Sequence, residues 1–538
     1  MSEQTYDYVV VGAGSAGCTL ASRLSESGKF SVLLLEAGPK DSNMWIHIPI
    51  GYGKTMFNPK YNWQFSTEAE PNLNNRKIYW PRGKTLGGSS SINGLVYIRG
   101  QAEDYDHWAA LGNKGWSFKD VLPYFVKSET NHGLKNGYHG SKGPLQVSPI
   151  RERHELVDAF IAGADEMGVP RTDDFNGKQQ EGVGYFQLTT KNGMRCSSAK
   201  GYLKPVGHKA GLTVETEAFA KRIVFVGTRA SAVKYTQQGI EKTALARKEI
   251  ILCTGAVQSP QLLQLSGVGP SELLKQHGIA VVADLKGVGE NLQDHLQVRL
   301  IYKCTKPITT NDDLKSLWRS AKIGMKWAFT RKGPLAIGIQ LGCMFTRAMP
   351  NAKTPDIQFH FGTISADAAA GKPHDFSGFT ISMCQLRPTS RGTIRIKSKD
   401  MGVHPEIHGN YLATEHDKQV MIAGVRVTQK LVRTRSLSAY VAQQYVPKND
   451  LQSDEEILEF VRQYGTTIFH PVGTCKMGND AMAVVDDRLR VRGVSNLRVV
   501  DASIMPTLVS GNTNAPAIMI AEKAADMMLE DAQLRHAA

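Results

Sequence analysis

Residues 6–38, YDYVVVGAGSAGCTLASRLSESGKFSVLLLEAG, decide the fold. Tyr6–Val11 is short, rich in β-branched residues and nearly all apolar, as a strand buried on both faces should be. Gly12-Ala13-Gly14-Ser15-Ala16-Gly17 follows at once, then a helical spacing with Leu20, Ala21 and Leu24 on one face. A second buried strand, Ser31–Leu35, ends in Glu36, 19 residues after Gly17. The order strand, glycine turn, helix, strand, acid predicts a dinucleotide-binding unit. Gly12 permits the tight turn, Gly14 lets the backbone approach a pyrophosphate, and Gly17 lets helix and strand pack closely. The helix start offers free N–H groups and partial positive charge to phosphate. Glu36 is expected to accept from ribose hydroxyls, and an acid there disfavours a 2′-phosphate. This unit alone leaves NAD and FAD open.

Around that unit the chain is ordinary and large. Its 538 residues are 41% hydrophobic and 21% charged, which excludes a disordered or collagen-like chain and suggests two to four domains or one two-lobed enzyme. No apolar run approaches the ~20 residues of a membrane span. The first residues carry no basic region followed by an apolar core, so no secretory signal is expected, and the strand at Tyr6 leaves no room for a transit peptide. The net charge is +14, but the basic residues are scattered, which favours a basic enzyme over a nucleic-acid binder. Loose contact with an anionic membrane surface stays open. Seven cysteines without a CxxC pair argue against a zinc site or disulfide scaffold and fit a reducing, cytoplasmic setting.

Five further blocks carry the chemistry. Pro81–Gly94 (PRGKTLGGSSSING) is dense in glycine and serine and suits a loop wrapped round a flat polar cofactor. Gly255–Pro270 (GAVQSPQLLQLSGVGP) follows a strand at Glu249–Cys253 and reads as a glycine turn entering a helix. Gly287–His295 (GVGENLQDH), His470–Cys475 (HPVGTC) and Asp501-Ala502-Ser503 come later. In this order and spacing the blocks resemble the glucose–methanol–choline (GMC) family of FAD-dependent oxidoreductases from end to end, and among its members the alcohol, choline and sorbose dehydrogenases most.

The resemblance implies a discontinuous Rossmann-like α/β lobe for FAD and an α+β substrate lobe with an antiparallel sheet. It assigns Gly12, Gly14, Ser15, Ala16, Gly17, Glu36 and Ala37 to the pyrophosphate and ribose. Arg82, Gly87, Gly88, Ser89, Asn93, Gly94, Leu95 and Val96 match the loop along the pyrophosphate and isoalloxazine. Phe219, where the family usually has a valine, Gly255, Asp501, Ala502 and Asn514 complete the cofactor set. Some relatives tether FAD through a histidine in the glycine loop. Ile92 stands at that position, which implies non-covalent FAD.

Oxidising an alcohol removes a proton from oxygen and a hydride from carbon, so the protein must supply a base. Of fifteen histidines, His470 matches the family's catalytic one. Ser510–Pro516 (SGNTNAP) precedes a helical pattern, and the resemblance places the second catalytic residue at Asn512, to hydrogen-bond the alcohol oxygen. Asn514 is expected to cap that helix. Asn291, Asp294 and His295 could suggest a metal, but no further ligands have suitable spacing, so they read as structural residues near the cofactor and no metal is expected. Cys475 reads as a small buried thiol.

The implied boundaries are 1–155, 195–297 and 470–538 for the FAD lobe, with 156–194 and 298–469 forming the substrate lobe. Asp356–Phe361, Thr380–Leu386 and Gly392–Lys397 alternate as strands of an antiparallel sheet, with helices near Leu314–Thr330 and His416–Arg433. Glu129–Gly143 reads as a surface loop. Phe359, Phe361 and Phe469, with Val96, are candidates for the substrate pocket. No acidic and aromatic cage for a quaternary ammonium is visible, so an uncharged alcohol, polyol or sugar is expected ahead of choline. The expected acceptor is quinone-like. An oxygen-using oxidase and a redox-neutral hydroxynitrile lyase are the alternatives.

Overall fold

The computed structural model describes residues 3–150, 152–206, 211–368 and 371–537. The strand Glu3–Val11 lies inside a seven-stranded sheet, parallel to Val32–Leu35 on one side and to Ile240–Leu252 on the other. Leu212–Glu215 continues the parallel run outward, and Leu497–Val499 pairs with the end of Ile240–Leu252. Arg229–Gln237 and Ala218–Val226 extend the other edge antiparallel. Val9, Val10, Leu33 and Leu34 are fully buried, as strands covered on both faces require.

The first crossover is the helix Ser15–Ser25, and the helix Asn514–Ala537 packs along it. Two glycines make this turn possible. Gly12 has φ +96°, and a Cβ on Gly17 would lie 1.8 Å from the Gly12 carbonyl oxygen. Any side chain at Gly17 would therefore force the helix off the strand.

A second sheet is antiparallel throughout, in the order Val441–Val446, Leu296–Cys304, Gly378–Gln385, Ile357–Gly362, Gln340–Thr346, Gly182–Tyr185. The helices Glu155–Glu166 and Glu415–Val432 cover its outer face, where Phe359, Phe361, Ile381 and Met383 are fully buried. The first sheet draws its strands from 1–155, 195–297 and 470–538. The second draws its strands from 182–185 and 296–467.

Two expectations are corrected here. Thr393–Arg395 does not join the large antiparallel sheet but pairs separately with Glu406–His408. Glu129–Gly143 is not simply surface loop: its first residues form a strand, Glu129–Asn131, and Glu129 and His139 are buried. Glu129 accepts from Arg99 and Tyr97 and meets His139 Nδ1 at 2.8 Å. Paired charges can be buried where a lone one could not, and this cluster pins Tyr97–Arg99 beside the cofactor loop.

Candidate active site

A cavity of about 720 Å³ lies between the two sheets and is lined by both. That size suits a dinucleotide or drug-sized ligand. At its dinucleotide end are Gly12, Gly14, Ser15, Ala16, Glu36 and Ala37. The wrapped loop contributes Arg82, Gly88, Ser89, Asn93, Gly94, Leu95 and Val96, and later segments bring Phe219, Gly255, Asp501, Ala502 and Asn514. Gly17 and Gly87 do not line the cavity. Gly17 sits beneath the turn, and Gly87, at φ +86°, donates its N–H to Ala13 O at 2.8 Å and fixes one glycine loop on the other. The loops touch so closely that a Cβ on Gly88 would come within 2.7 Å of Gly14 Cα.

Backbone donors therefore line this end at van der Waals approach, which is what a pyrophosphate needs. Two helix N-termini meet there, joined by the Ser15 hydroxyl donating to Asn514 Oδ1 at 2.7 Å. Asn514 is thus the first residue of its helix with its side chain spent on Ser15, not the expected cap. Glu36 is buried, accepts from Ala13 N and Gly38 N at 3.0 and 2.8 Å, and is pushed up to about 7 by burial. Asp501 accepts from Gly255 N, Ser259 Oγ and Ser503 N and so anchors the third glycine turn. The Phe219 ring lies against Trp63, centroids 5.9 Å apart. These residues fit a flavin dinucleotide.

At the other end His470 is buried beside Phe469 and Asn512. The chain is held tightly where it enters. Phe469 has φ +72°, an unusual conformation for a bulky residue that costs about 1–2 kcal/mol. Three contacts offset it: Phe469 N donates to Thr467 Oγ1 at 2.6 Å, Arg82 Nη2 donates to Phe469 O at 2.5 Å, and His470 N donates to Asp294 Oδ1 at 2.8 Å. Asp294 also accepts from Tyr411 at 2.5 Å and from Thr467 Oγ1.

The histidine tautomers follow from the hydrogen bonds. His295 Nε2 lies 3.0 Å from Leu386 O, an acceptor only, so Nε2 carries the hydrogen. Burial pulls the His295 pKa down to about 4, so the ring is neutral and its Nδ1 is a bare acceptor. His470 Nδ1, 3.0 Å away, must donate to it. The lone pair of a neutral His470 is then on Nε2, which faces Asn512 Nδ2 at 3.2 Å. Burial, and then His295, His360 and Arg82 nearby, hold the His470 pKa well below its ordinary value. Asn512 Oδ1 in turn accepts from Gln358 Nε2 at 3.4 Å.

Of the pocket candidates, Phe469 and Val96 line the cavity. Phe359 and Phe361 do not: they point into the outer core, where Phe361 packs on Phe160 and Phe379. Side chains alternate along a strand, so His360 between them faces the cavity instead. The residues that sequence reasoning missed as site members share this parity. Gln297 and Arg299 alternate from His295, and Ser382 and Thr380 lie on the neighbouring strand. The signal was present in His295–Arg299 (HLQVR), where every second residue is polar.

A dinucleotide cradle set against a neutral imidazole whose lone pair faces Asn512 defines a dinucleotide-dependent oxidoreductase. Residues 6–297 match the N-terminal and residues 388–521 the C-terminal model of the GMC oxidoreductases, and the chain belongs to that family. It is 44% identical over 537 residues to the mitochondrial choline dehydrogenase of Mus musculus, covering 98% of this chain and 90% of that protein. It is 45% identical over 531 residues to the oxygen-dependent choline dehydrogenase of Pseudomonas fluorescens (strain SBW25), covering 97% and 93%.

Among solved structures, pyridoxine 4-oxidase from Mesorbium loti superposes with TM-score 0.89 at 30% identity, covering 97% of this chain and 99% of that one. A variant of Aspergillus oryzae RIB40 formate oxidase gives TM-score 0.92 at 27% identity, with 98% of each chain covered. The protein is an FAD-dependent oxidoreductase that acts on alcohols. Relatives named as dehydrogenases over nearly the whole chain remove the support for a hydroxynitrile lyase.

Proposed function

We propose that His470 is the base and Asn512 the orienting group in the oxidation of an uncharged or anionic alcohol to its aldehyde or ketone. Bound FAD supplies the hydride acceptor. A substrate hydroxyl at His470 Nε2 takes the position that Asn512 Nδ2 holds, and Asn512 turns its N–H to the alcohol oxygen. His470 Nε2 takes the hydroxyl proton, and its Nδ1–H stays donated to His295. Asp294 fixes the backbone of His470 throughout. The observation that carries this reading is the chain from Leu386 O through His295 to His470, which leaves the Nε2 lone pair facing the cavity.

The names of the relatives favour a second reading, choline itself. The charge around the cavity opposes it. Its described lining holds two carboxylates, Glu36 and Asp501, both at the dinucleotide end and both taken up by backbone donors. The substrate side holds Arg299, and Lys54 sits 3.7 Å over the Trp45 ring at the rim. A cation would meet positive charge there.

The acceptor read as quinone-like gains support from one surface. The helix Leu317–Thr330 has no buried residue, and its Leu317, Trp318 and Phe329 are 89, 75 and 86% exposed. A bilayer of anionic lipid suits this face. An anaerobic panel of alcohols, sugars, polyols and choline tests the function: one class must bleach the yellow flavin, and a parallel assay with dye and for hydrogen peroxide separates dehydrogenase from oxidase. His470→Ala should keep bound FAD and lose most turnover.

A further inference from the structure

The inner face of the antiparallel sheet forms the wall of the cavity opposite the glycine loops, and its rows are set by register. Nearest the histidines, Gln297 lies beside Cys384, which lies beside Gln358, the partner of Asn512. One step along, Arg299 pairs with Ser382 and Ser382 with His360. All three of these line the cavity. Two residues of strand separate the rows, about 7 Å at ~3.3 Å per residue.

The second row has the chemistry of an anion clamp. Arg299 is half-buried and forms no ion pair among the described residues; its guanidinium donates to two carbonyls, Ala366 O at 2.9 Å and Asp367 O at 3.5 Å. Five donors in a fork are only partly used by that set. Burial disfavours its charge and Asp367 compensates only in part, so a bound anion would add to that compensation. Beside it, buried His360 has an Nδ1 without a hydrogen-bond partner. A half-used guanidinium lining the cavity in one row with Ser382 and His360 marks a place where ligand atoms complete the network.

We infer that the alcohol substrate carries an anionic group, a carboxylate in its simplest form, held by Arg299 with Ser382 and His360 while its hydroxyl lies at His470. This rests on the alcohol oxidation proposed above and narrows its substrate to hydroxy acids. The row spacing asks for a carboxylate about 7 Å from the carbinol, the reach of an extended chain of about six carbons.

The test uses holoenzyme, anaerobic flavin bleaching and dye-coupled turnover with 4-hydroxybutyrate, 6-hydroxyhexanoate, 1-butanol and choline. A charge-assisted contact should raise kcat/KM for a hydroxy acid about 10- to 100-fold over butanol, with choline lowest. Arg299→Gln should bring that ratio toward one, chiefly through KM, and Arg299→Glu should move the preference toward choline. Should the variants lose their FAD, inhibition of the unaltered enzyme answers the same question: butyrate should compete with 1-butanol far better than butanamide or butylammonium. Bleaching by butanol or choline as fast as by either hydroxy acid, or equal inhibition by the three butyl compounds, overturns the inference and leaves alcohol oxidation standing. No bleaching by any alcohol overturns both.

Discussion

His295 Nδ1 stands 3.0 Å from His470 Nδ1, and the only proton between them belongs to His470. The contact makes one nitrogen of His470 a donor and leaves the other as an acceptor. His295→Leu removes the acceptor, leaves a buried N–H unpaired at a cost of about 1–3 kcal/mol, and frees the ring to carry its hydrogen on Nε2. We expect kcat to fall about 100-fold with FAD still bound. His295→Gln, whose side-chain oxygen can accept, should recover much of it. Equal loss in both variants would assign His295 to packing alone.

The acid limb of the rate profile should lie below the ordinary histidine range. Burial lowers the His470 pKa, so the neutral base persists as pH falls through ~6.5 and is lost only well below it. The same depression makes stability depend on pH. His295 and His360, at about 4 and about 3, take up their protons in the unfolded chain first. Their contribution is full above ~6.5 and declines as pH falls toward 4, so holoenzyme Tm should drop over that range. A kcat/KM profile with a limb at 6.5 would contradict the assignment of His470.

The fold was legible because its deciding features are local. A buried apolar run ending in Gly-x-Gly-x-x-Gly leaves a strand few alternatives, and Gly17 is fixed by contact with Gly12 only five residues away. His470 and Asn512 came from motif, and the structure brings them within 3.2 Å. What stayed hidden depends on which face of a strand points inward. Phe359 and Phe361 have the composition of a pocket wall, but helices cover their side of the sheet, and that pairing spans residues 155–432. The Glu129 cluster was unreadable for a similar reason: its partner Arg99 lies 30 residues upstream in another segment.

Ile92 lines the cavity and is buried, with no heteroatom to bond the flavin. Denaturing the yellow holoenzyme in acid should therefore release all its FAD to the supernatant. Flavin retained on the precipitated chain would mean a tether elsewhere.

The helix Leu317–Thr330 bears on the acceptor. Leu317, Trp318, Ala321, Met325, Ala328 and Phe329 fall in one arc at 100° per residue, all exposed, while Trp327 turns inward to donate to Gly193 O. Exposed apolar side chains gathered on one face suit docking to a lipid surface. Lys315, Lys322, Arg331 and Lys332 flank it, the pattern of a helix lying in an anionic lipid interface. No described helix is long and apolar enough to cross a membrane. Leu314, just before the helix, is exposed and also lines the cavity, so docking would bring the cavity mouth against lipid. Holoenzyme should co-sediment with vesicles containing phosphatidylglycerol, less with pure phosphatidylcholine, and less at high salt. Trp318→Ser with Phe329→Ser should weaken sedimentation at least 10-fold while turnover with a water-soluble dye persists. Equal sedimentation by the double variant would remove the helix from the contact.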